Sequence, residues 1–411
     1  MTRDPNFMKF WVGQSISVFG AQFSPLAIQV IAIQILDVTN FQLGVLGFLN
    51  TVPFLVLGLF VGVWLDRHSK RRTLLFADLG RSMVLFAIPV SYWLYALTAN
   101  PIYSVNVSLL YAVTLLAGVL TVFFEIGYQA YVPVLVERQK IAEANSKLEA
   151  TRSLSQAAGP FAAGGVIALV GAPLAVLGDT LGYVGSWFSL LLIHKPEAIQ
   201  SGPRKSTWTD IKEGLSVVFK DSRLRAITST TATSNLFNSA FGVVLVKFML
   251  VDLGMSTPQV GFVFGIGSLG GVVGAVTAMR VAKRLGVGIS IITGAIVFSL
   301  LSTLFYFATP GNGIYLSAAI LFFSFIGVLI YNIAQVSYRQ ALVPTNIQGR
   351  MNASIRTLVW GIIPVGSLLG GVVAQSIGVR ETVVLMALLG MIAPLWIVFS
   401  PVRGVREFPK E

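Results

Sequence analysis

The sequence predicts an all-α membrane protein, with twelve transmembrane helices in two pseudo-symmetric six-helix bundles. Three observations carry this. The 411 residues are 55% hydrophobic and only 11% charged, with a mean hydropathy of +0.79; such a chain cannot cover itself in polar side chains and needs lipid as its solvent. Twelve apolar runs are each long enough to cross a hydrocarbon core, which takes about 20 helical residues. A polar pattern in the first half recurs in the second. The runs are unbroken and do not alternate every second residue, which argues against a transmembrane barrel.

In chain order the runs are Phe7 to Leu36, Phe41 to Leu65, Thr73 to Leu97, Ser104 to Val134, Glu143 to Val170 and Pro173 to Ile193. The second six are Leu224 to Val251, Gln259 to Val281, Val287 to Ala308, Ile314 to Leu342, Ala353 to Ile377 and Thr382 to Ser400. We number them spans 1 to 12. The first exceeds the apolar core of a signal peptide and carries Gln14, Gln22 and Gln29, so it is read as a retained helix. With the N-terminus in the cytoplasm, all of the 29 Lys and Arg residues except Arg81, Lys247 and Arg380 fall on the cytoplasmic side. Retention of basic loops on that side therefore supports twelve spans with both termini inside.

The longest polar interval, Lys195 to Arg225, contains a predicted amphipathic helix from Trp208 to Phe219, with Ile211, Leu215, Val218 and Phe219 on one face. It divides the chain into an N-terminal bundle (1–194), a cytoplasmic linker (195–223) and a C-terminal bundle (224–411). The repeat supports this division. Tyr131 to Gly165 and Leu342 to Gly371 both run through Val-Pro, a basic loop, Asn, Arg, Pro and Gly-Gly, and Arg152 and Pro160 pair with Arg356 and Pro364 at one offset, near half the chain. Two like-oriented bundles with a substrate site between them, as in alternating-access transporters, are expected.

Polar residues inside spans are costly and mark the faces turned to a wet interior. Span 4 carries Thr114, Gly118, Thr121, Glu125 and Tyr128 three or four residues apart, and span 7 carries Thr228, Thr231, Asn235, Asn238 and Gly242. Span 10 adds Ser324, Tyr331, Gln335 and Tyr338, and span 1 adds Gln22 and Gln29 around Pro25. Interhelical hydrogen bonding is the competing meaning of each residue; the recurrence at equivalent spans 1, 4, 7 and 10 favours a translocation path. Glu125, in the cytoplasmic half of span 4, and Asp179, in the outer half of span 6 on a face with Tyr183 and Ser186, are the candidate proton carriers. A low-dielectric carboxyl can take up and release a proton near neutral pH. Asp78 and Arg81 read as an ordinary i,i+3 ion pair. Glycines four apart (Gly58 and Gly62, Gly178 and Gly182, Gly270 and Gly274, Gly366 and Gly370) read as close helix contacts.

Other classes are disfavoured. The net charge of +12 lies in short loops between apolar runs rather than on a polar domain, so nucleic acid is not an expected partner. There is no cysteine, the two histidines form no metal-binding pair, and no nucleophile, base and oxyanion grouping appears. No enzyme activity, cofactor or metal is expected.

The stretch GVWLDRHSKRR resembles the signature loop between helices 2 and 3 of the major facilitator superfamily, Gly-x-Leu-Ala-Asp-Arg-x-Gly-Arg-Lys. Gly62, Asp66, Arg67, Lys70 and Arg71 match, while Trp64, Leu65 and Ser69 depart. The resemblance implies a cytoplasmic gating loop that latches the bundles in the outward-facing state. ANSKLEATRSLSQAAGPFAAGG is similar to the macrolide-efflux and enterobactin-exporter branch, with Gly159-Pro160 and Gly164-Gly165 one residue off the usual antiporter spacing. The Leu-Gly-Asp context of Asp179 and IKEGLSVVFKDSRLRAI in the linker also resemble that branch. It implies a monomeric secondary transporter in the bacterial inner membrane that exports a hydrophobic or amphipathic small molecule (a drug, macrolide or siderophore) against protons. Many antiporters of the family carry Arg in helix 4 and an acid in helix 1; here span 4 has Glu125 instead. The rival readings are an importer or a lipid or lysolipid flippase of the same fold, and a non-transporting receptor or assembly protein.

Overall fold

A computed structural model describes residues 4–66, 68–197 and 207–408. Twelve helical segments are long and apolar enough to cross a membrane: Pro5–Ile35, Asn40–Gly58 (within a helix that continues to Asp66), Lys70–Thr98, Pro101–Leu135, Glu143–Val170, Ala172–Leu191, Ser222–Asp252, Thr257–Leu285, Val287–Phe307, Gly313–Leu342, Arg350–Ile377 and Val379–Val398. No strand occurs among the described residues. The chain is a multi-pass membrane protein. Several helices outrun their apolar runs. The helix feeding span 11 already begins at Thr345, because a helix passing into water keeps its backbone bonds while its side chains turn polar. The linker helix, Thr207–Lys220, buries Val218 against Leu224, Met351 and Ile355.

Local backbone structure repeats between the halves where residue identity does not. Span 1 is the helix Pro5–Gly20, then Phe23–Val30, then a π-turn at Ile31–Ile35; span 7 is the helix Ser222–Lys247 followed by a π-turn at Phe248–Asp252. Both close identically, Leu36 N–H donating to the Ile31 carbonyl and Leu253 N–H to the Phe248 carbonyl, each at 3.0 Å. Spans 5 and 11 end at Gly171 (φ 85°) and Gly378 (φ 100°), left-handed positions that favour a residue lacking Cβ. Pro25 sits in the first turn after the break in span 1, where its missing N–H leaves no bond unmade.

Two compact units are distinguished by their internal contacts. One comprises Met1–Val38, Leu49–Pro203 and Thr257–Gly265; the other comprises Thr39–Phe48, Arg204–Ser256 and Ile266–Glu411. The first turns of span 2 thus group with the second half, and those of span 8 with the first. In the first unit Phe7, Phe10, Leu74, Phe124 and Tyr131 form the main core; in the second, Ile227, Ile291, Tyr331, Ala334 and Tyr338 do so.

The glycine pairs divide. Gly178 and Gly182 lie against span 1, Gly182 facing Gly20. Gly366 and Gly370 lie against the Leu236 and Ala240 carbonyls, and Gly270 and Gly274 against the Phe322 and Ile326 carbonyls. At Gly58 and Gly62, by contrast, an added Cβ would meet nothing within 4 Å, so close packing does not explain them in this structure. Gly270→Ala is expected to cost about 1–3 kcal/mol through backbone displacement, whereas Gly62→Ala should be neutral or stabilising by up to about 1 kcal/mol through helix propensity. Thermal unfolding of the two purified variants against wild type checks both.

Span 7 starts with a capped turn. Asp221 accepts from the N–H groups of Arg223 (2.8 Å) and Leu224 (3.4 Å), and its other oxygen takes the Arg223 guanidinium at 2.7 Å. The Arg223 hydrogen bonds hold the Asp221 carboxyl below its ordinary range. A depressed carboxyl contributes stability above its unfolded pKa of about 3.9, and the contribution disappears as pH falls through the folded value. Asp221→Ala is therefore expected to lower the melting temperature at pH 7, by an amount matching about 1 kcal/mol, and to have much less effect near pH 3.

Candidate functional site

The first unit buries a cluster of charge. Span 3 places Asp78 and Arg81 one turn apart; the two are ion-paired and only 0% and 4% exposed. The Arg81 guanidinium lies between the rings of Phe124 (span 4) and Tyr183 (span 6), 3.9 Å and 4.0 Å from their centroids. Asp179, one turn before Tyr183, is buried and interacts with Ser24, Arg81 and Tyr183. One oxygen of each carboxylate, and Arg81 Nε, lack a hydrogen-bond partner. Gln14 donates to Ser186 at 2.9 Å alongside. Spans 1, 3, 4 and 6 therefore hold two acids against one base in a water-poor interior. The pair Asp78–Arg81 is thus no ordinary surface ion pair, being almost wholly buried.

Beside this cluster lies a cavity of 160 Å³ whose lining includes Gln22, Arg81, Glu125, Tyr128, Arg152 and Tyr183. Glu125 is half-buried there. Tyr128 stacks on Phe10 and Phe124, with centroids 5.6 Å and 6.2 Å apart. Gln22 donates to the Val18 carbonyl at 3.3 Å and lays its stem against Gly159, where any Cβ would collide. The glycine of the Gly159-Pro160 motif thus makes room for Gln22. Thr121 bonds back to the Ala117 carbonyl of its own helix at 2.7 Å, and Gln29 has a buried amide oxygen without a partner; neither lines this cavity.

In the second unit Tyr331 and Thr231 share a hydrogen bond of 2.6 Å, and Gln335 is buried one turn beyond Tyr331. Asn235 donates to the Val359 carbonyl at 2.5 Å. That bond ties span 7 to span 11, so for Asn235 the interhelical meaning is realised. Asn238 is half-buried two turns on from Thr231.

Of the signature loop, Arg67 and the Asp66 side chain lie outside the described residues. The remainder is bound within the first unit. Glu197 accepts from Ser69 Oγ (3.0 Å) and from the N–H groups of Lys70 (2.7 Å) and Arg71 (2.8 Å), placing a carboxylate on the N-terminus of span 3. Arg71 donates to the Leu190 and Leu191 carbonyls, each at 3.0 Å, capping the C-terminus of span 6. Trp64 and His68 stack at 3.9 Å on the wall of an adjoining cavity of 830 Å³. This cavity is larger, but the smaller one holds the buried charge. Sequence reasoning missed Arg81 and Glu197. The signal for Arg81 was its place as one of the three basic residues that the sequence does not assign to a cytoplasmic loop; Glu197 offered none, being an acid in a polar linker.

Among the described residues, twelve helices are long and apolar enough to cross a membrane, and their buried faces carry carboxyl, guanidinium, amide and phenolic groups. The chain belongs to the Major Facilitator Superfamily, whose family model matches residues 10–364 and 232–411. It is 26% identical over 365 residues to the multidrug efflux pump Tap of Mycolicibacterium fortuitum, covering 86% of this chain and 85% of that protein. It is 23% identical over 353 residues to the staphyloferrin A transporter of Staphylococcus aureus, covering 84% of each. Among solved structures, a bacterial homologue of the iron transporter ferroportin matches with a TM-score of 0.75 at 17% identity, over 97% of this chain and 99% of that one; this likeness shows the fold alone. The protein is thus a bilayer-embedded transporter of small molecules, related to a drug efflux pump and a siderophore transporter.

Proposed function

We propose that the protein exports a hydrophobic or amphipathic small molecule from the bacterial cytoplasm in exchange for protons, acting as a monomer in the plasma membrane with both termini inside. The buried Asp78–Arg81–Asp179 cluster beside the Glu125 cavity carries this reading. With both acids ionised the cluster bears one net negative charge; one proton makes it neutral, and a neutral cluster is cheaper to hold in a low-dielectric interior. Glu125 lines the cavity that reaches Arg81, positioned to pass a proton to and from the cluster. Alternating access then needs only that substrate favour the ionised form. Exchange with protons predicts accumulation of substrate in vesicles made acidic inside.

The test is a panel of drugs and siderophores offered to proteoliposomes with an acid interior, beside protein-free vesicles that report passive trapping. Protein-dependent accumulation collapsed by nigericin is expected. Accumulation that instead needs an acid exterior would make the protein an importer. Movement of fluorescent phospholipid alone would make it a flippase, and absence of all flux would leave a receptor.

A further inference from the structure

Among the described residues of the second unit, the buried Arg339 forms no ion pair with a carboxylate. Span 10 presents Tyr331, Gln335 and Arg339 four residues apart on one face. All three are buried, Arg339 to 8% exposure. The Tyr331 hydroxyl meets Thr231 of span 7 at 2.6 Å, and Thr228, also buried, lies one turn along span 7 from Thr231. Below that hydrogen bond three polar atoms have no partner: Thr228 Oγ1, Gln335 Oε1 and Arg339 Nε. Among the described residues, the group acting on the Arg339 charge is the Tyr331 hydroxyl. Three acids of this unit are engaged elsewhere: Glu213 pairs with Arg350, Asp221 with Arg223, and Asp252 faces Arg380. Arg81 of the first unit, by comparison, has two carboxylates.

Water could satisfy the three orphan atoms, but it could not balance the charge. A buried guanidinium without a counter-ion is strongly disfavoured, and its planar fork fits a carboxylate through two parallel hydrogen bonds. The Thr228 hydroxyl and the side-chain NH2 of Gln335, not its unpartnered oxygen, can donate to such an oxyanion. Ile227, Ile291 and Ala334 pack with Tyr331 in the buried apolar core of this unit. We propose that Arg339, with Gln335 and Thr228, forms a subsite for a carboxylate group of the transported molecule. This deepens, and rests on, the reading of the protein as a transporter of amphipathic compounds: among these it selects organic acids.

The experiment compares rhodamine B, which has a free carboxylate, with rhodamine B ethyl ester, in which it is masked. Binding of each to purified protein in nanodiscs is followed by fluorescence anisotropy without any gradient. Wild type is expected to prefer the acid, and Arg339→Gln to lower the acid-to-ester affinity ratio at least about tenfold, as expected for losing a charge-assisted pair. A general packing defect would lower both affinities and leave the ratio in place. Thr228→Val and Arg339→Lys should each lower the ratio less, and they carry the same comparison if Arg339→Gln does not fold. Wild type that binds neither dye or does not prefer the acid, or an unchanged ratio in the variants, overturns the subsite. Flux is read separately in proteoliposomes: acid selectivity without proton-driven flux leaves the subsite standing and removes the exporter reading, whereas flux without selectivity does the reverse.

Discussion

Arg81→Leu is expected to destabilise the protein by about 3–5 kcal/mol, because removing one partner of a buried ion pair leaves its counter-charges unpaired. Here two carboxylates, Asp78 and Asp179, would be stranded, and the Phe124 and Tyr183 rings would lose the cation between them. The readouts are membrane yield and the thermal midpoint of detergent-purified protein. The triple variant Asp78→Asn/Arg81→Leu/Asp179→Asn removes all three charges at similar volume and should recover most of the midpoint while remaining inactive in proton-driven flux. An Arg81→Leu protein with wild-type yield and midpoint would mean that the cluster is solvated and stores no such charge imbalance.

The second large effect concerns coupling. Glu125→Gln is expected to reduce pH-driven accumulation to the level of protein-free vesicles with yield intact, since Glu125 is half-buried at the cavity and its loss strands no buried partner. Asp179→Asn should give the same loss by holding the cluster permanently in its neutral charge state. Both variants should retain substrate counterflow, which needs alternating access but no proton. Full proton-driven flux in Glu125→Gln, with loss confined to Asp179→Asn, moves the coupling role wholly into the buried cluster. Survival of flux in both refutes proton coupling at this site.

The fold was legible because lipid imposes a length rule on every span, and basic loops punctuate the runs. Parts of the site were legible for the same reason: Gln22, Glu125 and Tyr128 share a polar helical face or its neighbour, and they do meet at one cavity. Depth was not legible. Asp78 and Arg81 stand near a loop in sequence, yet they are covered by spans 1, 4 and 6, and local spacing carries no information about which neighbours cover a helix end. Asn235 shows the opposite failure: a polar residue on the expected face whose amide is spent on the Val359 carbonyl. The glycine pairs make a third case, since the same spacing yields backbone contact at Gly366 and Gly370 and open space at Gly58 and Gly62. The paired π-turns of spans 1 and 7 have no common residue pattern and emerge only from the backbone.

The carboxylate of Glu197 also bears on how the chain could be divided. Two helix ends depend on residues around the start of the linker: span 3 begins on Glu197, and Lys195 donates to the Leu135 carbonyl at the end of span 4 at 2.8 Å. Lys195 and Glu197, at the start of the linker, are thus fastened to helix ends of the N-terminal half. A cut, affinity tag or fusion junction placed between Ile193 and Glu197 would strip the N-terminal half of its own fastenings. To express the halves as separate polypeptides, the break belongs beyond Glu197, where each half leaves with its helix ends secured.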